Sequence, residues 1–153
     1  MSESIIDPTF GSMEYNYGWC KEEEITFFDK TITVEILAEA DIGQPISEGQ
    51  QDQYVHFSNE VDALSATALK ELKDYYAENL PSIELQTDHP AEIPDEGSLT
   101  DLDLINMVTP KTVFFQQDGI YAVLCNCLWE PQYGLAIIIS DQGITIGTQD
   151  EVI

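Results

Sequence analysis

The stretch Thr112–Gly147 limits what this chain can fold into more than any other. It reads as four strands joined by tight turns. Thr112–Gln116 opens with Val and two Phe, whose branched and aromatic side chains suit a pleated surface. Asp118-Gly119 is a two-residue hairpin signal, because Gly tolerates positive φ without a steric penalty. Ile120–Trp129 is long and mostly apolar, and Glu130-Pro131-Gln132-Tyr133-Gly134 breaks it. Leu135–Ser140 forms the third strand, and Asp141-Gln142-Gly143 leads into Ile144-Thr145-Ile146. Nearly continuous apolar runs need cover on both faces at their centres, and the rest of the chain must supply it.

The N-terminal third predicts a second antiparallel meander. Met13, Tyr15 and Tyr17 alternate with polar residues, which marks a strand near Ser12–Tyr17. Glu24–Phe28 meets Asp29-Lys30 and then Thr31–Leu37. The period of two places Ile32, Val34 and Ile36 on a buried face, and Thr31, Thr33 and Glu35 on a wet one.

Between these groups the period changes. Ser47-x-x-Gln50 can close a capping box. Tyr54, Phe57, Val61, Leu64, Ala68, Leu72 and Tyr75 then recur at spacings of three and four, as one apolar stripe. Ser58-Asn59 predicts a break into two helices within residues 47–80, and Pro81 is expected just past their end. Residues 81–98 read as a long acidic connector, and a short helix follows at Thr100–Met107 with Pro110 closing it. Leu64, Leu72 and Tyr76 are expected to pack over Leu124, Leu128, Ile137 and Ile139. The expectation is one α+β domain over residues 1–153: an N-terminal hairpin group and a C-terminal four-stranded meander, in one sheet or two, packed against two helices of residues 47–80.

Charge narrows the function. The chain carries 29 acidic residues against five lysines and no arginine, a formal net charge of −24, yet 43% of it is hydrophobic, enough to support a core. Nucleic acid and anionic lipid are excluded as partners, because they demand surface Lys and Arg. Two readings of the acidity remain: solubility, or a surface that meets a basic protein. No secretory leader or membrane span is visible, and three cysteines fit a reducing compartment, so a cytoplasmic location is expected.

No catalytic constellation stands out, and no enzyme activity, cofactor or metal is expected. His56 lacks a Ser-Asp partner pattern, and His89 precedes Pro90 in the connector. Cys125-x-Cys127 puts two thiols on one face of a strand, but no further ligand pair completes a zinc site. Glu22-Glu23-Glu24 and Asp101-x-Asp103 lack the calcium-loop pattern. An acid pair such as Glu130 with Asp150 would be the basis of an enzyme alternative, and regular rows of acids would be the basis of a nucleic-acid mimic. Two stretches are acid-rich, Asp7–Glu24 and Glu84–Asp103. Within the second, Asp95, Glu96, Asp101 and Asp103 are the candidate partner-binding residues.

The segment Cys127–Ala136, with Trp129-Glu130-Pro131-Gln132-Tyr133-Gly134, belongs with Phe10-Gly11-x-Met13, Tyr15-x-Tyr17-x-Trp19 and Gly147-Thr148-Gln149-Asp150. Together these resemble an uncharacterised family of small acidic bacterial domains that end in a meander carrying Trp-[Asp/Glu]-x-x-[His/Tyr]-Gly. Relatives in that family are thought to neutralise bacterial toxins. The resemblance implies an immunity-type antagonist that covers a basic site on a toxin, a nuclease being one example. It carries over no active-site residue.

Overall fold

The computed structural model describes residues 3–28, 30–86, 100–117, 120–128, 134–140 and 143–149. Among these residues eight strands form one sheet in sequence order: β1 (Ser4–Asp7), β2 (Gly11–Tyr15), β3 (Trp19–Phe27), β4 (Lys30–Ala38), β5 (Val108–Phe115), β6 (Tyr121–Cys127), β7 (Leu135–Ser140) and β8 (Gly143–Thr148). Every neighbouring pair is antiparallel except β4 and β5, which run parallel from Glu35↔Thr112 to Ala38↔Phe115. A parallel pair needs a crossover. Here helices α1 (Glu48–Gln86) and α2 (Asp101–Met107) make it. The fold is thus the expected α+β arrangement, with its two meanders fused into one sheet.

The N-terminal half holds one more strand than the alternation revealed. β1 pairs with β2 from Ser4↔Glu14 to Asp7↔Gly11. Asp7 shapes the turn between them: one carboxylate oxygen accepts from the Thr9 and Phe10 amides, both at 2.8 Å, and the other accepts from Gln51 Nε2 at 2.9 Å. On β4, Val34, Ile36 and Ala38 are buried and Thr31 and Thr33 exposed, as the period of two requires. In the C-terminal meander β5 starts at Val108, directly after α2, rather than at Thr112. Pro110 therefore lies inside a strand, where the register shifts between Pro110 and Thr112 and the missing N–H is accommodated. The expected turn residues Asp118-Gly119 and Asp141-Gln142 lie outside the described residues.

The helical region differs from expectation. One 39-residue helix runs from Glu48 to Gln86, through Ser58-Asn59 and through Pro81. The capping box is present: Gln50 N donates to Ser47 Oγ at 3.2 Å, and Ser47 N donates to Gln50 Oε1 at 2.9 Å. Beyond it, Phe57, Leu64, Ala68, Leu72 and Tyr76 stay buried along one unbroken stripe. Packing of that stripe on the sheet outweighs the local competition from Ser58 and Asn59 for backbone bonds. Pro81 removes a single helical hydrogen bond, since its nitrogen has no proton to give the carbonyl four residues back.

The core lies between α1, α2 and one face of the sheet. Phe115 stacks on Tyr54 at 5.8 Å and on Tyr121 at 5.3 Å, while Phe10 and Phe57 meet Phe115 edge-on. Leu72, Tyr76 and Ile137 are fully buried, and Leu124 and Ile139 nearly so. Leu128 is the exception at 46% exposed, because it lies just past the end of β6. Leu124 belongs to a second cluster, with Phe114, Ala122 and Ala136, on the face away from α1. β6 and β7 are thus buried on both faces at their centres, whereas the edge strand β8 is only partly covered.

Candidate functional site

Sheet register brings together acids that the sequence keeps apart. On β3 the side chains alternate, so Trp19, Ile25 and Phe27 enter the core while Cys20, Glu22 and Glu24 point to the outer face. β3 pairs with β4 so that Glu22 lies directly opposite Glu35, and Cys20 opposite Leu37. β2 adds Glu14 opposite Cys20. Four carboxylates, Glu14, Glu22, Glu24 and Glu35, therefore share one surface. Like charges directly opposite on neighbouring strands are destabilising. The ion pair found among the described residues, Lys21–Glu23 at 3.4 Å, neutralises a different glutamate, on the helix-facing side of β3. There Tyr54 also donates a hydrogen bond to Glu23.

A shallow hollow of about 470 Å³ occupies this surface, lined by Glu14, Tyr15, Asn16, Cys20, Lys21, Glu22 and Glu35. Cys20 donates to the carbonyls of Asn16 at 3.3 Å and Gly18 at 3.4 Å. Partial burial pushes its thiol up to about 11, and the charge of Glu35 pushes the same way. Cys20 is therefore a neutral thiol at physiological pH.

The turn joining β2 to β3 borders this hollow through Asn16. Its Gly18 packs so closely that a Cβ there would approach the Ala38 carbonyl oxygen to 2.8 Å and Leu37 Cδ1 to 2.9 Å. Tyr17 precedes it with φ of 64°, the left-handed region that an aromatic residue rarely adopts, and is 93% exposed. An exposed aromatic in a strained backbone gains nothing from the fold that would explain it. It directly follows Asn16, which lines the hollow.

Of the residues expected to bind a partner, Asp95 and Glu96 lie outside the described residues, and Asp101 is the first residue of α2. Asp103 serves the helix itself. Its carboxylate accepts from Thr100 N at 3.0 Å while Thr100 Oγ1 accepts from Asp103 N at 3.1 Å, a complete capping box. The acid pair Glu130 and Asp150 and the turn residues Trp129–Tyr133 also lie outside the described residues, as does His89. Gly134 and Gln149, from two separated motifs, do meet: Gln149 Nε2 donates to the Cys125 carbonyl at 2.9 Å, and a Cβ on Gly134 would collide with both groups.

Cys125 and Cys127 are buried on the helix-facing side of β6, as period two implies, and burial raises the Cys125 thiol far above its ordinary value. No group of three or more metal-ligating side chains occurs among the described residues. No helix among them is long and apolar enough to cross a membrane. His56 does have a partner that the sequence hid: its Nδ1 lies 2.7 Å from Tyr121 Oη, across from β6.

The acids of the first acid-rich stretch were visible in the sequence, but their convergence was not. It depends on the Glu22↔Glu35 register, which is set by the tight hairpin closing at Phe27↔Lys30 and not by the acids themselves.

The chain belongs to a family described as a domain of unknown function (DUF6985), whose model matches residues 9–153. No curated protein and no solved structure matches it.

Proposed function

We propose that this member of the DUF6985 family is a binding protein that docks a basic protein on the outer face of β2–β4, in the manner of a cytoplasmic immunity protein that neutralises a bacterial toxin. The observation that carries the reading is the opposition of Glu22 and Glu35, which have no ion pair among the described residues, flanked by Glu14 and Glu24, with the exposed Tyr17 in the adjoining β2–β3 turn. Acids placed where they repel one another weaken the free protein. The arrangement becomes favourable when a basic surface covers it.

The division of labour follows from physical chemistry. A concentrated negative field speeds encounter with a cationic partner. An aromatic side chain with few rotatable bonds then anchors the complex at modest entropic cost. The second acid-rich stretch, with Asp95, Glu96 and Asp101, is a further contributor in this reading. Asp103 adds its charge while capping α2.

Capture from a cell extract on immobilised protein identifies the partner. Amide chemical shifts recorded on the complex then locate its footprint. The reading expects a partner of net positive charge, and shift changes centred on Glu14, Tyr17, Cys20, Glu22 and Glu35. A footprint confined to the α1 side of the molecule would refute it.

A further inference from the structure

The helix-facing side carries a second site, independent of the docking surface. Gly49, Asp52, Gln53 and His56 follow one another at helical spacing on the first turns of α1. With Tyr121 of β6 and Ile139 and Ser140 of β7 they line a cleft of about 530 Å³. That volume lies within the usual range for small-ligand sites.

Gln53 is the anomaly. It is 8% exposed, and both Nε2 and Oε1 are buried without a hydrogen-bond partner among the described residues. Buried amides are normally satisfied. Gln50, one turn earlier, shows how this chain does it. Its Nε2 donates to the Glu39 carbonyl at 2.7 Å and the Phe115 carbonyl at 2.9 Å, and its Oε1 accepts from Ser47 N. Gln53 has the same chemistry and none of the partners. Both atoms are closed to solvent as the side chain lies, so a ligand reaches them by turning the amide toward the cleft, and a group that presents a donor and an acceptor side by side then completes it. A primary carboxamide does this, and so do the N–H and C=O of one extended peptide residue.

The charges around the cleft select among such groups. Asp52 lies in the wall, and the Glu60 charge reaches Tyr121, whose phenol is raised by burial first and by Glu60 second. The His56–Tyr121 hydrogen bond engages one edge of the imidazole and stiffens one wall. An anion is disfavoured in this field, and a cation beside the amide would meet Asp52.

We propose that this cleft binds an amide-bearing cation of the arginine-amide or lysine-amide class, the Gln53 carboxamide pairing with the ligand amide and Asp52 facing its positive group. The shared chemistry admits a free amino-acid amide or a basic residue within a peptide. Two probes, argininamide and acetyl-Gly-Arg-Gly-amide, distinguish them.

The test is a titration of the intact chain with each probe, followed by amide chemical shifts and by thermal unfolding, with glutamate as the anionic control. Wild type should show saturable shifts at the first turns of α1 and the adjoining ends of β6 and β7. The probe that binds names the source, and glutamate should do nothing. Gln53→Leu, with Gln53→Met as a second variant, should weaken binding by about tenfold or more. Without ligand, the Tm of these variants should equal or exceed that of wild type, because two orphaned polar atoms are gone. Asp52→Asn should weaken both probes. Absence of saturable binding by either probe to wild type overturns the proposal. So does a fall of several degrees in Tm for both Gln53 variants, since that would mean the fold already uses the amide.

Discussion

Along β3 and β4, the side of the sheet facing α1 presents Trp19, Ile25, Phe27, Val34, Ile36 and Ala38, all buried. The opposite side of the same residues' strands presents Cys20, Glu22, Glu24, Thr31, Thr33 and Glu35, with Leu37 half-buried among them. On the first side, the polar groups beside β3 and its turn are matched: Trp19 Nε1 donates to the Gln44 carbonyl at 2.7 Å, and Ser65 Oγ of α1 accepts from the Phe28 amide at 2.7 Å at the β3–β4 turn, where Phe28 has φ of 54°. On the second side, glutamates face each other without a described counter-charge. One face is assembled to stabilise the fold. The other accepts a loss of stability, which under the proposed function a partner of opposite charge would recover.

The contrast can be broken at either face. The largest effect should come from the helix side. Leu72→Ala, at a fully buried position, should destabilise by about 2–5 kcal/mol in chemical denaturation. A change below about 1 kcal/mol would mean that α1 is not packed on the sheet as described. Next comes Gln50→Leu, which removes half the capping box and one of two donors to each of the Glu39 and Phe115 carbonyls, leaving Gln117 Nε2 on the first and the Glu39 amide on the second. It should cost about 1–2 kcal/mol by the same measurement.

The outer face should respond in the opposite direction. Glu35→Gln removes one of two opposed charges and should stabilise by up to about 1 kcal/mol at low salt, the gain shrinking as salt screens the pair. The same substitution should be legible at Cys20. The folded thiol holds its proton up to about pH 11, against an ordinary value of 9.0. Cys20 thus favours the folded state fully below pH 9, and that contribution is lost as pH rises through about 11. Iodoacetamide labelling of the folded protein should accordingly stay slow until well above pH 9. Glu35→Gln should move the onset of labelling to lower pH. An unchanged profile would show that Glu35 does not act on this hollow.

Much of the architecture was legible because it is local. The alternation of Thr31–Leu37, the Ser47/Gln50 and Thr100/Asp103 capping pairs and the apolar run of β6 each encode an element within a few residues. β1 was not legible, since Ser4-Ile-Ile-Asp has no alternation and its strand character depends on pairing with β2. The continuity of α1 was hidden for a related reason. Ser58, Asn59 and Pro81 argue locally for breaks, and only the sheet beneath the stripe decides otherwise. The sites were the least legible. The sequence pointed to Asp95, Glu96, Asp101 and Asp103 by density of charge, whereas Glu22 and Glu35 are 13 positions apart and meet only through register. Gln53 sits beside Tyr54 of the apolar stripe and carries no local sign that its amide is left without partners.

The measurement that bears most directly on the docking surface is the association rate with the captured partner at low and at high salt. It compares wild type, Tyr17→Ala, the combined Glu14→Gln, Glu22→Gln, Glu24→Gln and Glu35→Gln variant, and the corresponding neutralisation of Asp95, Glu96, Asp101 and Asp103. The account predicts that the four glutamine substitutions slow association by about tenfold or more at low salt. The gap should close near 1 M salt, where the Debye length falls to about 3 Å. Tyr17→Ala should leave the association rate nearly unchanged and speed dissociation. If the glutamine variant associates as fast as wild type at low salt, the outer face of β2–β4 is not the docking surface.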